Sequence, residues 1–137
     1  MAAAMDGGVT SLVCPPDTDP VLDEPGLVEM LKFRMQKLHL AHVYLLSALT
    51  VGLKGETITE MVELTEAGCI GFSQADNLIV DTRTLLRALQ YATTYGYTVW
   101  LRPQDAYMSR GGVAASGAAR TLGRAGVGGN HRAAYVL

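Results

Sequence analysis

Thr57-Ile-Thr-Glu-Met-Val-Glu-Leu-Thr-Glu-Ala-Gly-Cys-Ile-Gly-Phe-Ser73 is the stretch whose reading decides the fold. Ile58, Met61, Val62 and Leu64 recur at helical spacing and predict one inward face. Thr57 with Glu60 three residues on has the form of a capping box, which predicts the helix start. Gly68 predicts its stop. Cys69 to Ser73 then reads as a strand. A short helix handing over directly to a strand is one α–β unit, and such units build parallel sheets.

Similar units lie on both sides. Upstream, His42-Val-Tyr-Leu-Leu-Ser47 predicts a strand, followed by a Gly-containing loop from Thr50 to Glu56. Before it, a helix is expected from Pro25 to Lys37, with Leu27, Met30, Leu31, Met35 and Leu38 inward. Pro25 suits a first helical turn. Earlier still, Val9-Thr-Ser-Leu-Val-Cys14 is apolar on both faces, as a buried parallel strand is. The Pro- and Asp-rich stretch from Pro15 to Pro25 predicts a loop. Downstream, Gln74 to Val80 reads as a loop and Asp81 caps a helix with Leu85, Leu86, Leu89 and Ala92 inward. That helix is expected to end at Gly96, and Thr98-Val-Trp-Leu101 is a fourth strand closed by Pro103. The order βαβαβαβ implies parallel strands with right-handed crossovers. A doubly wound sheet and half of a (β/α) barrel both satisfy it.

The 137 residues allow one domain with a sizeable core, and at 49% hydrophobic and 18% charged the chain is globular. The net charge of −2 leaves no electrostatic footprint for nucleic acid and no polybasic membrane patch. No apolar run approaches the ~20 residues that span a bilayer, and Met1 to Asp6 lacks the basic region of a signal peptide. The expected location is the cytoplasm. Cys14 and Cys69 lie in apolar runs without Cys-x-x-Cys spacing, so two buried free thiols are expected. From Arg110 onward the chain turns rich in Gly, Ala and Arg without an apolar period. Residues 1–109 are therefore read as the folded α/β part and 110–137 as a tail with little firm structure.

In parallel α/β folds, chemistry sits at the carboxyl ends of the strands. Those ends carry Asp17 and Asp19, then Thr50, then Gln74 to Asn77, then Arg102 to Asp105. Asp76 and Asp105 are weak candidates for holding a metal. His39 and His42 fall at the opposite ends and His131 in the tail, so no imidazole is expected to join them. Ser47, Ser73, Thr18 and Thr50 have no His base at a matching strand end, so no nucleophilic triad is expected. Gly52-Leu-Lys-Gly55 lacks P-loop spacing, and Gly7-Gly8 precedes a strand and not a helix. Gly111-Gly112 beside Arg110 is a weak anion site. The strand ends are polar but hold no assembled site.

Several segments together resemble the dihydroorotase family. Ala4 to Pro20, containing Gly7-Gly8 and Cys14-Pro-Pro-Asp-Thr-Asp-Pro20, resembles the family's "AGG-T-T" turn and its strand ending "MPNT-P". Leu53-Lys-Gly-Glu56 and Glu66-Ala-Gly-Cys-Ile-Gly-Phe-Ser73 look like its "KG-E" and "L-EAGC-AF-DDG" segments. Arg87-Ala-Leu-Gln-Tyr-Ala92 and Arg110-Gly-Gly-Val113 continue the likeness in order, over about residues 3 to 117.

The resemblance implies a partial TIM-type barrel, running from the second to the fifth family strand. It also implies membership of a zinc-dependent amidohydrolase group of pyrimidine biosynthesis, which interconverts N-carbamoyl-aspartate and dihydroorotate. The family's His-x-His metal pair belongs to a strand before this segment. On the same map the acidic metal ligand of "DDG" falls on Gln74-Ala75-Asp76, and the metal His of "HCED" falls on Arg102. The substrate-binding Asn of "MPNT-P" falls on Asp17. A guanidinium has no lone pair for a metal, and a carboxylate at position 17 repels a dianion.

The expectation is therefore no catalytic residues and no bound cofactor, with Asp17, Gln74, Ala75 and Arg102 as vestigial positions. The closest likeness is to non-catalytic dihydroorotase-like subunits associated with aspartate carbamoyltransferase, the expected partner being that enzyme's catalytic chain. The segment is expected to be a fragment, with a tail that leaves the family pattern. The alternatives are an active metal-dependent cyclic amidase and a small independent α/β binding module.

Overall fold

A computed structural model of the chain describes residues 6–37 and 42–102, together with three short strands farther along. The strands are β1 (Ser11–Cys14), β2 (His42–Ala48), β3 (Gly71–Ser73) and β4 (Val99–Leu101). The helices between them are α1 (Pro25–Gln36), α2 (Met61–Ala67) and α3 (Thr82–Tyr95), with a one-turn 3₁₀ helix at Val51–Leu53. β1 to β4 are parallel and adjacent in chain order, and they curl as half of a (β/α) barrel. The partial barrel is the architecture that the resemblance implied. No helix among the described residues is long and apolar enough to cross a membrane.

Three two-residue strands fall in the Gly/Ala/Arg-rich tail. β5 (Ala114–Ala115) pairs in parallel with β6 (Gly126–Val127). β7 (Tyr135–Val136) lies antiparallel on β4. Leu38 and the expected turn at Pro103 lie outside the described residues.

The core lies between the sheet and its helices. Leu45, Phe72 and Val99 point from successive strands toward Val28 of α1, Met61 and Leu64 of α2, and Ala88 and Ala92 of α3. Phe72 is fully buried, and its ring centroid lies 5.6 Å from that of Tyr97. Gly71 is needed for close strand approach, because a Cβ there would sit 2.9 Å from the Thr98 carbonyl oxygen.

Helix faces differ from the spacing-based expectation in a consistent way. On α3, Thr84, Ala88 and Ala92 form the buried line, while Leu89 packs at its side and Leu86 is 56% exposed. On α1, Val28 is the fully buried residue, Leu27, Leu31 and Met35 flank it, and Met30 is exposed. Small or short side chains occupy the line nearest the sheet because a helix can approach closely only there. Long side chains reach the core from the flanks.

The expected capping box does not form. The N-cap of α2 is Glu60, and no side chain caps it. Residues 57–59 instead run beside the end of β2, where Ile58 bridges Thr50 and Val51 N–H donates to Thr57 O at 2.8 Å. Thr59 Oγ donates to Ala48 O at 2.7 Å in the interior. A tertiary bond made in a buried place outcompetes a local cap that is open to water. β1 also departs from expectation: Val9 and Val13 are exposed, because β1 has a neighbour only in β2 among the described residues.

Two ends are set as the sequence implied. Asp81 accepts Arg83 N–H at 2.8 Å and Thr84 Oγ–H at 3.1 Å, capping α3. Gly68 ends α2 with φ 111°, and Lys32 Nζ donates to the neighbouring Ala67 carbonyl at 3.0 Å. A Cβ at Gly68 would push aside the flexible end of Lys32, and the left-handed φ there is strained for any residue that carries a Cβ. Gly68→Ala should therefore lower stability by about 1–3 kcal/mol, measured by urea denaturation of the full chain. A loss below a few tenths would contradict this account.

The Arg83 backbone N–H, helped by the Thr84 hydroxyl, holds the Asp81 carboxyl below its ordinary range. Its folded value is depressed, so the cap's contribution is whole above the unfolded value of about 3.9. That contribution is lost as pH falls through the folded value. Asp81→Ala should lower the melting temperature at pH 6, and the deficit should shrink steadily below about pH 3.9. A deficit independent of pH would count against the ionised cap.

Candidate functional site

The parallel register brings the carboxyl ends of β1 to β4 to one rim, with Ala48 level with Ser73 and Ser73 level with Trp100. Every strand-end residue singled out from sequence that lies among the described residues sits on or beside this rim. What the structure brings together there is a hydrogen-bonded seam of the chain's own groups.

The seam centres on Thr50 and Gln74. Gln74 is 2% exposed and Thr50 is fully buried. The Thr50 hydroxyl donates to Gln74 Oε1 at 2.9 Å and accepts from Gln74 Nε2 at 2.8 Å. It also accepts Gly55 N–H at 2.9 Å, which fixes the loop after β2. Ser47 Oγ donates to Leu22 O at 2.7 Å, drawing the loop after β1 over the sheet. The Asp23 carboxylate accepts Gly52 N–H at 2.8 Å and ties that loop to the next one. Ser73 Oγ accepts Ala75 N–H at 3.1 Å. Among the described residues no buried side-chain polar atom lacks a partner. Ser47, Ser73 and Thr50 are thus engaged structurally, and Thr18 Oγ donates to Pro20 O at 2.8 Å.

Beyond the seam the rim is ionic. Arg102 is the first residue past β4, and its Nη1 stands 2.7 Å from Asp76 Oδ1. The Asp76 side chain is 84% exposed and that of Arg102 is 37% exposed. Ala75, between Gln74 and Asp76, has φ 51°, in the left-handed region. Asp17 and Asp19 are exposed on the loop after β1. His42 is exposed at the start of β2, at the opposite end of the sheet. Asp105, His39, His131 and the Arg110-Gly111-Gly112 segment lie outside the described residues.

The two thiols are free. Cys69 is buried, and burial pushes its thiol up to about 11 despite the opposing effects of the Ser47 hydroxyl and Lys32. Cys14 is only part-buried, a correction to the expectation of two buried thiols. Its thiol is also raised, by burial first and by Asp17 second. Neither carries the lowered value of a reactive cysteine.

A metal centre does not fit these donors. Zinc takes thiolate, imidazole or carboxylate ligands. Among the described residues no three His, Cys, Asp or Glu side chains gather to hold an ion, and Gln74, Ala75 and Arg102 offer the rim a buried amide already bonded to Thr50, a methyl group and a guanidinium. The nearby carboxylate of Asp76 is paired with that guanidinium.

The Thr50–Gln74 pair escaped the reading of the sequence. Two neutral polar residues just past neighbouring strands carry no motif, and only the register sets them face to face. Gln74→Leu keeps the volume but leaves the Thr50 hydroxyl proton unpaired in the interior. It should cost about 1–3 kcal/mol, with a coupling of at least about 0.5 kcal/mol to Thr50→Val in a double-mutant cycle. Strict additivity would remove the bond from the account.

Comparison with known proteins gives the family. The family model described as dihydro-orotase-like matches residues 1–121. Relatives include a dihydroorotase-like protein of Pseudomonas putida, 44% identical over 126 residues, covering 91% of this chain and 30% of that protein. A dihydroorotase-like protein of Pseudomonas aeruginosa is 43% identical with the same coverage. A protein named dihydroorotase from Geobacter sp. is 35% identical over 126 residues, again covering 91% and 30%. The chain thus spans about 30% of the length of these curated relatives. A half-barrel with this rim, matched along most of its length, belongs to the dihydro-orotase-like family.

Proposed function

We propose that this chain is part of a non-catalytic dihydroorotase-like subunit of de novo pyrimidine biosynthesis, which supports assembly of aspartate carbamoyltransferase. The observation that carries the reading is the Arg102–Asp76 ion pair. It puts a permanent cation at the end of β4, where a hydrolytic relative would present a metal-binding imidazole. The buried Gln74 supports it, since its amide is held by Thr50 and carries no charge to offer a metal. Asp17 adds an exposed negative charge where a dianionic substrate would need a donor. Relatives at 43–44% identity carry the name dihydroorotase-like protein.

The full-length protein containing this segment should co-elute with the transferase catalytic chain in stoichiometric amount. Its deletion should lower transferase assembly and activity in extracts. The purified protein, supplied with zinc, should not turn over dihydroorotate. Unchanged transferase activity in the deletion strain would overturn the structural role.

A metal-dependent cyclic amidase is the second reading, favoured by the relatives at 35–36% identity that are named dihydroorotase. It requires Asp76 to leave Arg102 and join ligands from elsewhere. Stoichiometric zinc that survives dialysis of the full-length protein, with turnover, would establish it in place of the first.

A further inference from the structure

We infer that the Arg102–Asp76 pair is a metal-independent clamp that holds the turn after β3 against the end of β4. The inference rests on the non-catalytic half of the function proposed above and concerns what took the place of the metal. The turn runs from Gln74 to Asn77, closed by Asn77 N–H donating to Gln74 O at 3.0 Å. Inside it Ala75 adopts φ 51°, a conformation that costs a residue with a Cβ and persists only where its surroundings hold it.

Three tethers do the holding. Gln74 is anchored inside by Thr50. Ala75 N–H is taken by Ser73 Oγ. Asp76 is held from outside by Arg102, a residue of the neighbouring strand end. The first two act from the interior or from within the turn, so Arg102 is the tether that links it to β4.

In a metal enzyme a divalent ion can join adjacent strand ends by taking ligands from both. Here a guanidinium on one strand end and a carboxylate on the other make that join directly, with the charges supplied by the chain. A divalent cation brought to the same point would meet the positive guanidinium first. Arg102 is thus a positioning residue, acting through Asp76 on the backbone of the turn.

Hydrogen exchange of the backbone amides between 75 and 80, measured by mass spectrometry on the full chain, tests this. Arg102→Met and Asp76→Asn should each speed that exchange by up to about fivefold, the range open to an exposed ion pair. The double variant should be no faster than either single one. Because the Asp76 side chain is exposed, Asp76→Asn keeps the test independent of any folding defect in Arg102→Met. Wild-type protein in 1 M salt should show the same acceleration, through screening. Zinc or EDTA should change nothing.

Exchange that stays unchanged in Asp76→Asn would overturn the clamp, as would additive effects in the double variant. Slowing by zinc, or acceleration by EDTA, would overturn its independence from metal. A transferase unaffected by deletion would remove the subunit role and leave the clamp standing, so the two failures are distinguishable.

Discussion

The parallel register between β2 and β3 is the constraint on which the rest of this structure depends. It sets Ala48 beside Ser73, and everything one or two residues farther along each chain then meets at the rim. On one face of the same pair of strands, Leu45 and Phe72 join the core with Met61 and Leu64. At the ends, Thr50 and Gln74 close on each other. A slip of one residue would turn Phe72 away from the helices and bring Gly71 and Ser73 to face them. The same alignment therefore underlies both the apolar interior and the polar rim.

The rim is closed by direct bonds between loops. Ser47, Asp23, Thr50 and Thr59 each link the loop they serve to a backbone group elsewhere. Their bonds are buried or part-buried, where a hydrogen bond is electrostatically stronger and an unpaired group is expensive. The outer rim behaves differently: Arg102 and Asp76 are open to water, so their contribution is small and sensitive to salt. A stiff inner seam with a loosely held ionic border is the reverse of a metalloenzyme rim, where the strongest bonds converge on an open coordination position.

The uncovered parts of the sheet also follow from its partial extent. Val13 and Tyr44 are register neighbours on the face away from the helices, and both remain exposed. In a whole barrel that face lines a packed interior. The chain spans about 30% of its curated relatives, so an exposed inner face is what the remainder of such a fold would be needed to cover.

The order of elements was legible in the sequence by itself, as were the parallel sheet, the cap at Asp81 and the helix stops at Gly68 and Gly96. These rest on local signals: periodicity, a side chain that bonds its own turn, and a left-handed residue without a Cβ. The placing of Gln74 and Arg102 just past the ends of their strands was legible too, since each follows an apolar strand-like run. Other features were not. The buried line of α3 joined Thr84 and Ala88 to the expected Ala92, because small residues permit the closest approach to the sheet, which apolarity alone does not encode. The capping box at Thr57 gave way because Thr59 found a buried carbonyl on β2. Thr50 met Gln74, and Arg102 met Asp76, across 24 and 26 residues of chain. Contacts of that span depend on strand register and packing, and these exist only once the tertiary structure has formed.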